Sequence, residues 1–315
     1  MDEEVKVKIL EKRDLIPGRI VELRLARDEG SVSGSWSPGA HIELLLPSGL
    51  VRQYSLCGEP EDEFFTIAVL REEESRGGSI EIHDALAVGD HLQIRGPKNH
   101  FKLEPGSTTV FIAGGIGITP LLPMMRELTR QGKPWALHYG GKSLAALAYL
   151  DALQLMDGNE INIYLKNETR RVPVREIMAS LSAEDAVYVC GPEPMIDEVE
   201  EIGANLGVRV CLERFGPVSG EKPDALGATF EVELARTQAI LTVPEDTRLI
   251  DVVRTVVPSV PFSCEEGYCG SCETTVIDGV PDHRDTILSP AERETNECMM
   301  ICVGRAKTPR LVLDL

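Results

Sequence analysis

The distribution of apolar and polar positions divides the chain into three segments of different texture. In residues 1–103, short apolar stretches alternate with polar residues, as in Val5, Val7 and Ile9. Further stretches of this kind cover residues 41–46, 65–70 and 80–82, and turn clusters such as Gly77–Gly78 and Gly96–Pro97 separate them. Many short strands between turn signals predict a β-sandwich or a small barrel.

The second segment, from Pro105 to residue 216, alternates continuous apolar runs with helical patterns. The apolar runs cover residues 109–113, 135–139, 161–165, 186–190 and 208–212, and the predicted helices cover residues 120–130, 143–155, 174–181 and 194–206. Buried strands that alternate with helices predict a parallel, doubly wound α/β sheet.

The third segment returns to strands after a stretch that is rich in Gly, Pro and charge. The predicted strands cover residues 229–234, 239–243, 273–277, 300–303 and 311–313, with one helix at 247–256. We therefore predict domains at 1–104, 105–216 and 228–315, with a linker at 217–227. This is one domain more than a length of 315 residues suggests.

Charge and composition exclude several classes of function. The chain carries 51 acidic and 32 basic side chains, a net charge of −19 that repels nucleic-acid phosphates and anionic lipid. No apolar run approaches the roughly 18 residues of a membrane span. The first residues resemble no secretory signal, so a cytoplasmic protein is expected.

The C-terminal segment contains an unusual cluster of cysteines. Cys264, Cys269 and Cys272 are spaced C-x4-C-x2-C, and Cys302 follows after 29 residues. This is the plant-type spacing for a [2Fe–2S] cluster, which needs four thiolates around two irons. Glycines in the loop let the backbone curl its N–H groups toward the cluster sulfurs.

Two alternatives remain for these cysteines. A four-cysteine zinc site favours paired C-x2-C knuckles, whereas one gap here is four residues long. Cys298 is a rival for the fourth ligand. We expect Cys302, because residues 300–304 read as an apolar strand that could carry it to the loop, whereas Cys57, Cys190, Cys211 and Cys298 read as packed thiols.

A glycine-rich turn follows the first apolar run of the second segment. Gly114, Gly115 and Gly117 would let backbone N–H groups approach a diphosphate, with Thr119 as the N-cap and Pro120 as the first residue of a helix. The alternative is a turn that merely packs a strand on a helix.

The fourth apolar run ends in a similar layout. Cys190, Gly191 and Pro192 lie between that run and a predicted helix. Open α/β sheets bind ligands at the carboxyl ends of their strands, which favours a dinucleotide site.

The first segment offers a candidate phosphate and ring site. Arg52 could contact a phosphate, Tyr54 could stack on a ring and Ser55 offers a hydroxyl. A second group, Arg76, Gly77, Gly78 and Ser79, could wrap the same phosphate. Alternatively, Tyr54 is a core aromatic and Arg76 a solvated turn residue.

These signals, in this order, resemble the phthalate dioxygenase reductase family, particularly its vanillate demethylase reductase type. The likeness covers essentially the whole chain. It is carried by residues 52–57, 67–71, 76–79, 97–101, 114–120 and 190–192 and by the C-terminal cysteines.

The resemblance implies an FMN-binding six-stranded antiparallel β-barrel, an NAD-binding α/β domain and a β-grasp ferredoxin domain. Implied FMN contacts are Arg52, Gln53, Tyr54, Ser55, Ala68, Val69, Leu70, Arg76, Gly77, Gly78, Ser79 and Thr119. Implied NAD contacts are Gly114, Gly115, Gly117, Thr119, Pro120, Lys142, Cys190, Gly191 and Pro192. Glu213 matches a family residue near the flavin, although Arg214 and Phe215 depart from the expected pattern beside it.

The resemblance also implies the reaction. NADH would give a hydride to FMN, and FMN would pass single electrons to the [2Fe–2S] cluster, with no general acid or base required. The partner would be a terminal oxygenase, expected to be of the Rieske type, served by a monomeric reductase. NADH is expected over NADPH, although Lys142 and Ser143 could meet a 2′-phosphate.

Two other functions are compatible with the residues. The same electron-transfer chain could serve another monooxygenase, such as a haem-thiolate enzyme. A non-catalytic protein with a structural zinc and a nucleotide-binding domain is the second.

Residues 228–315 carry 15 acidic and 8 basic side chains, which predicts a basic docking patch on the partner. Alternatively, this acidity only aids solubility.

Overall fold

A computed structural model of the chain describes residues 4–28, 36–72, 77–156, 159–167, 170–216 and 227–315. The chain divides into two compact units, one that ends at Arg214 and one that runs from Phe215 to Leu315. Residues 217–226 of the predicted linker lie outside the described residues. The linker and its bounds therefore stay a prediction.

The first half of the larger unit is an antiparallel β-barrel. Its elements are β1 (Val5–Ile16), β2 (Ile20–Arg27), β3 (His41–Leu45), β4 (Val51–Ser55), β5 (Phe65–Leu70), α1 (Gly78–Asp84) and β6 (His91–Lys98). The strand order is β4-β3-β6-β1-β2-β5, and a bridge between Leu56 and Ile67 joins the two edges. Alternate residues such as Val7 and Ile9 fill the interior. The predicted barrel is confirmed.

Two local predictions in the barrel are wrong. Residues 80–82 form part of helix α1 rather than a strand, because Gly77 takes a left-handed φ of 95° that turns the chain into the helix. Strand β6 runs through Gly96 and Pro97, which read as a boundary. The pairing of β3 with β6 shifts register at this point, so Pro97 interrupts no regular ladder.

The second half of the larger unit is a parallel five-stranded α/β sheet. Its elements are β7 (Thr109–Gly114), α2 (Ile118–Arg130), β8 (Trp135–Gly141), α3 (Leu150–Gln154), β9 (Glu160–Leu165), α4 (Val174–Met178), β10 (Ala186–Cys190), α5 (Glu193–Leu206) and β11 (Arg209–Glu213). The order is β11-β10-β7-β8-β9 with every pair parallel, as predicted. The single helix predicted at 143–155 is instead a 3₁₀ turn at Leu144–Ala146 and the short α3.

The smaller unit is a mixed sheet with one helix packed into its core. Its elements are β12 (Phe230–Leu234), β13 (Ala239–Val243), α6 (Leu249–Arg254), β14 (Glu273–Asp278), β15 (Pro281–Asp282), α7 (Pro290–Thr295), β16 (Cys298–Met300), β17 (Arg305–Ala306) and β18 (Arg310–Leu313). The main sheet has the order β13-β12-β18-β14-β16, and β15 pairs with β17. Leu249, Ile250 and Val253 of α6 are buried in the same core as the strands.

The strand predicted at 300–303 is wrong in its bounds. Strand β16 ends at Met300, and Ile301 to Val303 form a turn stabilised by bonds from Val303 N and Gly304 N to the carbonyl of Met300. Cys302 therefore lies on a turn beyond the strand. None of the helices in the described ranges is long and apolar enough to cross a membrane.

Candidate functional site

The four predicted cluster cysteines come together in the smaller unit. Cys264, Cys269, Cys272 and Cys302 are all free and buried. The Cys264 thiol interacts with those of Cys269 and Cys302, and the Cys302 thiol also interacts with that of Cys272. Three ligands from one loop and one from a distant turn thus form a single group of sulfurs.

The backbone of the cysteine loop turns its N–H groups toward these sulfurs. Glu266 N donates to Cys264 Sγ at 3.3 Å, and Cys264 N donates to Cys269 Sγ at 3.5 Å. Gly267 has a φ of 77°, and a Cβ atom there would lie 2.7 Å from a methyl of Val303. A side chain at position 267 is therefore excluded both by conformation and by space.

This arrangement fits an iron–sulfur cluster. The hydrogen bond with Cys264, together with burial, raises the pKa of Cys269, as expected when thiols crowd together without a cation. Coordinated metal ions reverse that preference and hold thiolates. Cys298 is only half-buried on β16, and no hydrogen bond in the described part of the chain joins it to the four. The geometry favours Cys302 over Cys298.

In the larger unit, the ends of β7 and β10 pack directly on each other. A Cβ atom at Gly117 would lie 2.2 Å from the carbonyl oxygen of Cys190, and one at Gly114 would lie 2.3 Å from Pro192 Cδ. Gly114 and Gly117 are therefore needed for packing, which was the alternative interpretation. Of the three glycines, only Gly115, with a φ of 55°, has open space where a side chain would stand, because nothing lies within 4 Å of a Cβ atom there.

The expected cap of helix α2 is wrong. A 3₁₀ turn at Gly115–Gly117 starts the winding early, so the helix begins at Ile118 and no side chain caps it. Thr119 lies inside the first turn, and its hydroxyl donates to the carbonyl of Ile116 at 2.9 Å. Pro120 is the third helical residue, where its missing N–H still costs no helical hydrogen bond.

Tyr139 supports the glycine turn, and the sequence reasoning missed it. Its side chain is fully buried, and its hydroxyl donates to the carbonyl of Gly115 at 2.9 Å. The same hydroxyl accepts a hydrogen bond from Ala148 N at 3.1 Å. A tyrosine at the end of an apolar run was the available signal. Lys142 lies beyond that run and is exposed, so its contact with a dinucleotide stays a prediction.

Glu213 brings together residues predicted for two different ligands. Ser55 Oγ donates to Glu213 Oε2 at 3.2 Å, and Glu213 pairs in register with Cys190 on the neighbouring strand. Burial raises the pKa of Glu213 to about 8, against the effect of the bond from Ser55. Burial, and then Glu213, raises the pKa of Cys190. The hydroxyl predicted to face the flavin thus meets the end of the strand predicted to border the nicotinamide, and one carboxyl group joins them.

Two segments predicted to bind the flavin phosphate, at Arg52 and at Gly78, lie against each other. A Cβ atom at Gly78 would lie 2.7 Å from Arg52 Cγ and Nε, so Arg52 lies against the start of α1. Ser79 is buried, and its hydroxyl accepts from Glu72 N at 3.2 Å. Gln53 instead donates to Glu43 of the neighbouring strand at 3.4 Å. Arg76 lies outside the described residues.

The three residues expected to line the flavin do not share one face. Ala68 and Leu70 pack with the core of the α/β half of the larger unit, whereas Val69 is buried in the barrel interior. Only the backbone of Val69 can face the side of Ala68 and Leu70. Tyr54 is half-buried and packs against the barrel core, which partly agrees with its interpretation as a core aromatic.

The raised pKa of Glu213 predicts an unusual pH dependence of stability. Its carboxyl group titrates near 4.5 in the unfolded chain and near 8 in the folded protein. Between these values the folded state binds more protons, so stability falls as the pH rises. The Tm of Glu213→Gln minus the Tm of wild type is expected to rise by roughly 5 °C when the pH is raised from 6 to 9.

Asp185→Asn is the matched control for that measurement. Hydrogen bonds from the backbone and side chain of Ser182 lower the pKa of Asp185, so its contribution is constant above the ordinary titration range of Asp. Its Tm deficit should be equal at pH 6 and pH 9. A Glu213→Gln variant that also shows the same difference at both pH values would contradict a carboxyl group that is protonated in the folded protein.

Two family models match the chain. Residues 111–201 match the oxidoreductase NAD-binding domain, and residues 232–307 match the 2Fe-2S iron-sulfur cluster binding domain. The first match covers the glycine turn and the Cys190 strand end, and the second covers all four cysteines. The chain therefore contains both an NAD-binding and a [2Fe–2S]-binding domain.

Curated relatives match along almost the whole chain. The chain is 42% identical to the phenoxybenzoate dioxygenase subunit beta of Ectopseudomonas oleovorans, over 88% of this chain and 87% of that protein. It is 35% identical to the vanillate O-demethylase oxidoreductase of Pseudomonas sp. strain HR199, over 98% and 99% of the two chains.

Solved structures give two similar folds. Phthalate dioxygenase reductase, described as a modular structure for electron transfer from pyridine nucleotides to [2Fe–2S], matches with a TM-score of 0.70 and 31% identity, over 99% of this chain and 98% of that one. An intact type IV self-sufficient cytochrome P450 monooxygenase matches with a TM-score of 0.91 and 35% identity, over 99% of this chain. The chain spans only 41% of that P450 protein.

Proposed function

We propose, because the chain belongs to the phthalate dioxygenase reductase family of oxidoreductases, that it passes electrons from NADH through FMN to its [2Fe–2S] cluster and on to a terminal oxygenase. The observation that carries the proposal is the single buried group of four sulfurs in the same chain as the Ser55–Glu213–Cys190 contact. The first suits a one-electron centre and the second a hydride-transfer site.

The residues of the larger unit bind and orient the ligands in this proposal. Arg52 and Ser79 hold the flavin phosphate, Ser55 faces the flavin ring, and the open turn at Gly115 receives the dinucleotide diphosphate. Glu213 and Cys190 border the nicotinamide ring. A bound flavin supplies the conversion of a hydride into single electrons, which neither nicotinamide nor cluster can perform.

The partner in this proposal is a Rieske-type oxygenase. Both curated relatives carry names from oxygenase systems, a dioxygenase subunit and an O-demethylase oxidoreductase. The cosubstrate is NADH, and Lys142 is the residue that would meet a 2′-phosphate. The ratio of kcat/KM for NADH and NADPH, measured in wild type and Lys142→Ala, tests this preference.

A haem-thiolate monooxygenase is the second candidate partner. The similarity to the self-sufficient P450 chain, which extends over 99% of this chain, favours it. Reconstitution with one oxygenase of each type, at equal concentrations, distinguishes the two partners. The non-catalytic zinc protein loses its support, because the relatives are oxidoreductases and the cysteines fall in a [2Fe–2S] domain match.

The acidic charge of the smaller unit predicts a salt-dependent electron exit. Exposed carboxylates such as Glu273, Glu292 and Glu297 lie around Cys298 on β16, and Glu273 directly follows the ligand Cys272 in sequence. Cytochrome c is a basic one-electron acceptor, so its reduction rate should fall roughly tenfold between low and physiological salt. Reduction of ferricyanide, a small trianion that needs no docking surface, is the control, and its rate should not fall as salt rises. A salt-independent rate with cytochrome c would discard an electrostatic docking surface.

Cofactor analysis tests the proposed function. The purified protein should contain FMN, iron and acid-labile sulfide, and its visible spectrum should combine flavin and cluster absorption. Zinc in place of iron, or a colourless protein after anaerobic reconstitution with FMN and iron, would contradict the proposal.

A further inference from the structure

We infer that Tyr149 is a positioning residue for hydride transfer: its phenol joins the nucleotide-binding half to the two barrel segments that carry the flavin-facing residues. The inference rests on the proposed function, because it assumes a flavin bound near Ser55 and Ala68.

The backbone at Tyr149 is in a conformation that side chains rarely adopt. Its φ is 62° and its ψ is 19°, in the left-handed region, at the N-terminus of the short helix α3. Such a conformation is strained for an L-residue, and it persists only where the surroundings fix it. Here the conformation places the hydroxyl between two residues of the barrel.

The Tyr149 hydroxyl contacts one residue on each of two barrel segments. It donates to Glu22 Oε2 of β2 at 2.8 Å and lies 3.2 Å from Cys57 Sγ, just beyond β4. Because the phenolic proton is directed to Glu22, the single proton of the Cys57 thiol is shared between the phenol oxygen and the carbonyl of Thr66, which lies 3.4 Å from Cys57 Sγ. Arg13 completes the group with an ion pair to Glu22 at 2.9 Å.

Both partners of Tyr149 adjoin residues predicted to face the flavin. Glu22 pairs in register with Ala68 on β5, and Cys57 follows Ser55 by two positions. A shift of Tyr149 therefore moves the two walls on which the flavin ring would lie. Neither Glu22 nor Cys57 is itself needed to contact the ring.

A second side chain of the nucleotide-binding half grips the same segment. Arg126 of α2 donates from Nη1 to the carbonyls of Cys57 at 2.8 Å and Gly58 at 3.2 Å, and it pairs with Glu59 at 3.0 Å. Helix α2 follows the glycine turn that would receive the dinucleotide. The segment that carries Ser55 is thus fixed from two elements of the opposite half.

Burial keeps the Tyr149 phenol and the Cys57 thiol protonated at neutral pH. It raises the pKa of Tyr149 well above its ordinary value and raises the pKa of Cys57 to about 12. The phenol and the thiol therefore keep their protons throughout the working range of the enzyme. The contact acts as a fixed spacer and takes no part in proton transfer.

The test compares Tyr149→Phe with Tyr164→Phe in the flavin-loaded full chain. Tyr164→Phe also removes a phenol hydroxyl that is hydrogen-bonded, in this case to His138 Nδ1 at 2.9 Å. Both of these residues lie on strands of the nucleotide-binding half, so this hydrogen bond does not reach the barrel. Anaerobic stopped-flow reduction of the flavin by NADH gives a limiting rate and an NADH Kd. The absorbance of the NAD–flavin complex reports ring stacking independently of turnover.

For Tyr149→Phe we expect the limiting rate of flavin reduction to fall about tenfold, because small displacements of reacting groups are costly. Its NADH Kd should stay within about twofold of wild type, and the stacking absorbance should weaken or shift. Tyr164→Phe should match wild type in all three. Equal behaviour of the two variants would overturn the inference.

The design separates this inference from the proposed function. If wild type shows no flavin reduction by NADH, the proposed function fails before any variant is compared. If Tyr149→Phe does not fold, Cys57→Ala removes the other end of the contact and should slow flavin reduction severalfold. A Cys57→Ala variant with wild-type rate and wild-type stacking absorbance would then overturn the positioning role.

Discussion

Replacing Cys272 by Ser is expected to remove the [2Fe–2S] cluster and to reduce electron delivery to cytochrome c by roughly two orders of magnitude. Even outer partners of a metal site cost 10- to 100-fold when they are removed, so loss of a ligand costs at least as much. The Cys272 side chain is buried and contacts Cys302, and no other cysteine of the described chain replaces it there. Reduction of the flavin by NADH should continue.

Cys298→Ser is the matched control for this substitution. Cys298 is a half-buried thiol on β16, opposite Thr275, outside the group of four sulfurs. Its replacement should leave iron content and cytochrome c reduction within about twofold of wild type, as for a surface position. If Cys298→Ser loses iron and Cys302→Ser retains it, the assignment of the fourth ligand is wrong.

Replacing Gly117 by Ala is expected to destabilise the larger unit by roughly 3 kcal/mol or more. The added Cβ atom would overlap the carbonyl of Cys190 at 2.2 Å and approach Gly191 N at 2.8 Å. Both neighbours are backbone atoms at the end of β10, so neither can rotate away. The strand end that carries Cys190 must shift, and dinucleotide binding should weaken with it. Thermal unfolding and NADH titration measure the two effects.

Gly115→Ala separates packing from ligand approach. Nothing lies within 4 Å of a Cβ atom at Gly115, so its substitution costs only the strain of a φ of 55°, about 1 kcal/mol. If the open face of this turn receives the diphosphate, NADH affinity should fall at nearly unchanged stability. A Gly117→Ala variant as stable as Gly115→Ala would contradict the packing described here.

Long regular patterns in the sequence predicted the fold well. The five apolar runs of the middle segment all became parallel strands. The inner strands β7 and β10 are buried on both faces and must be apolar throughout, whereas the edge strands β9 and β11 are mostly half-buried. The strand prediction for residues 80–82 was wrong because a stretch of three residues with two isoleucines fits a strand or a helix equally. In the structure Ile82 is buried in the barrel core from helix α1.

Some missed elements had a readable signal. Helix α7 begins with a capping box, in which Glu292 N donates to Ser289 Oγ at 3.3 Å and Ser289 N donates to Glu292 Oε2 at 2.8 Å. Strand β6 alternates exposed His91 and Gln93 with buried Leu92 and Ile94. Reading Gly96–Pro97 as a boundary obscured that alternation.

Other features depended on distant contacts that no local pattern encodes. Gly114 and Gly117 fit the pattern of a phosphate-binding turn, yet the structure needs them for packing, because their near neighbours are residues 190–192. The contact of Tyr149 with Glu22 and Cys57 spans 127 and 92 positions of sequence. The cysteine ligands were accessible from spacing alone, because three of them lie in one short loop.

In the proposed mechanism, electrons from NADH reach the cluster through the flavin of the same chain. Low-temperature electron paramagnetic resonance during an anaerobic NADH titration tests it most directly. We expect the signal of a reduced [2Fe–2S] cluster to grow as the flavin absorption bleaches, and neither change to occur in protein stripped of FMN. A cluster that NADH reduces equally well without FMN, or that stays oxidised while the flavin is fully reduced, would contradict the account.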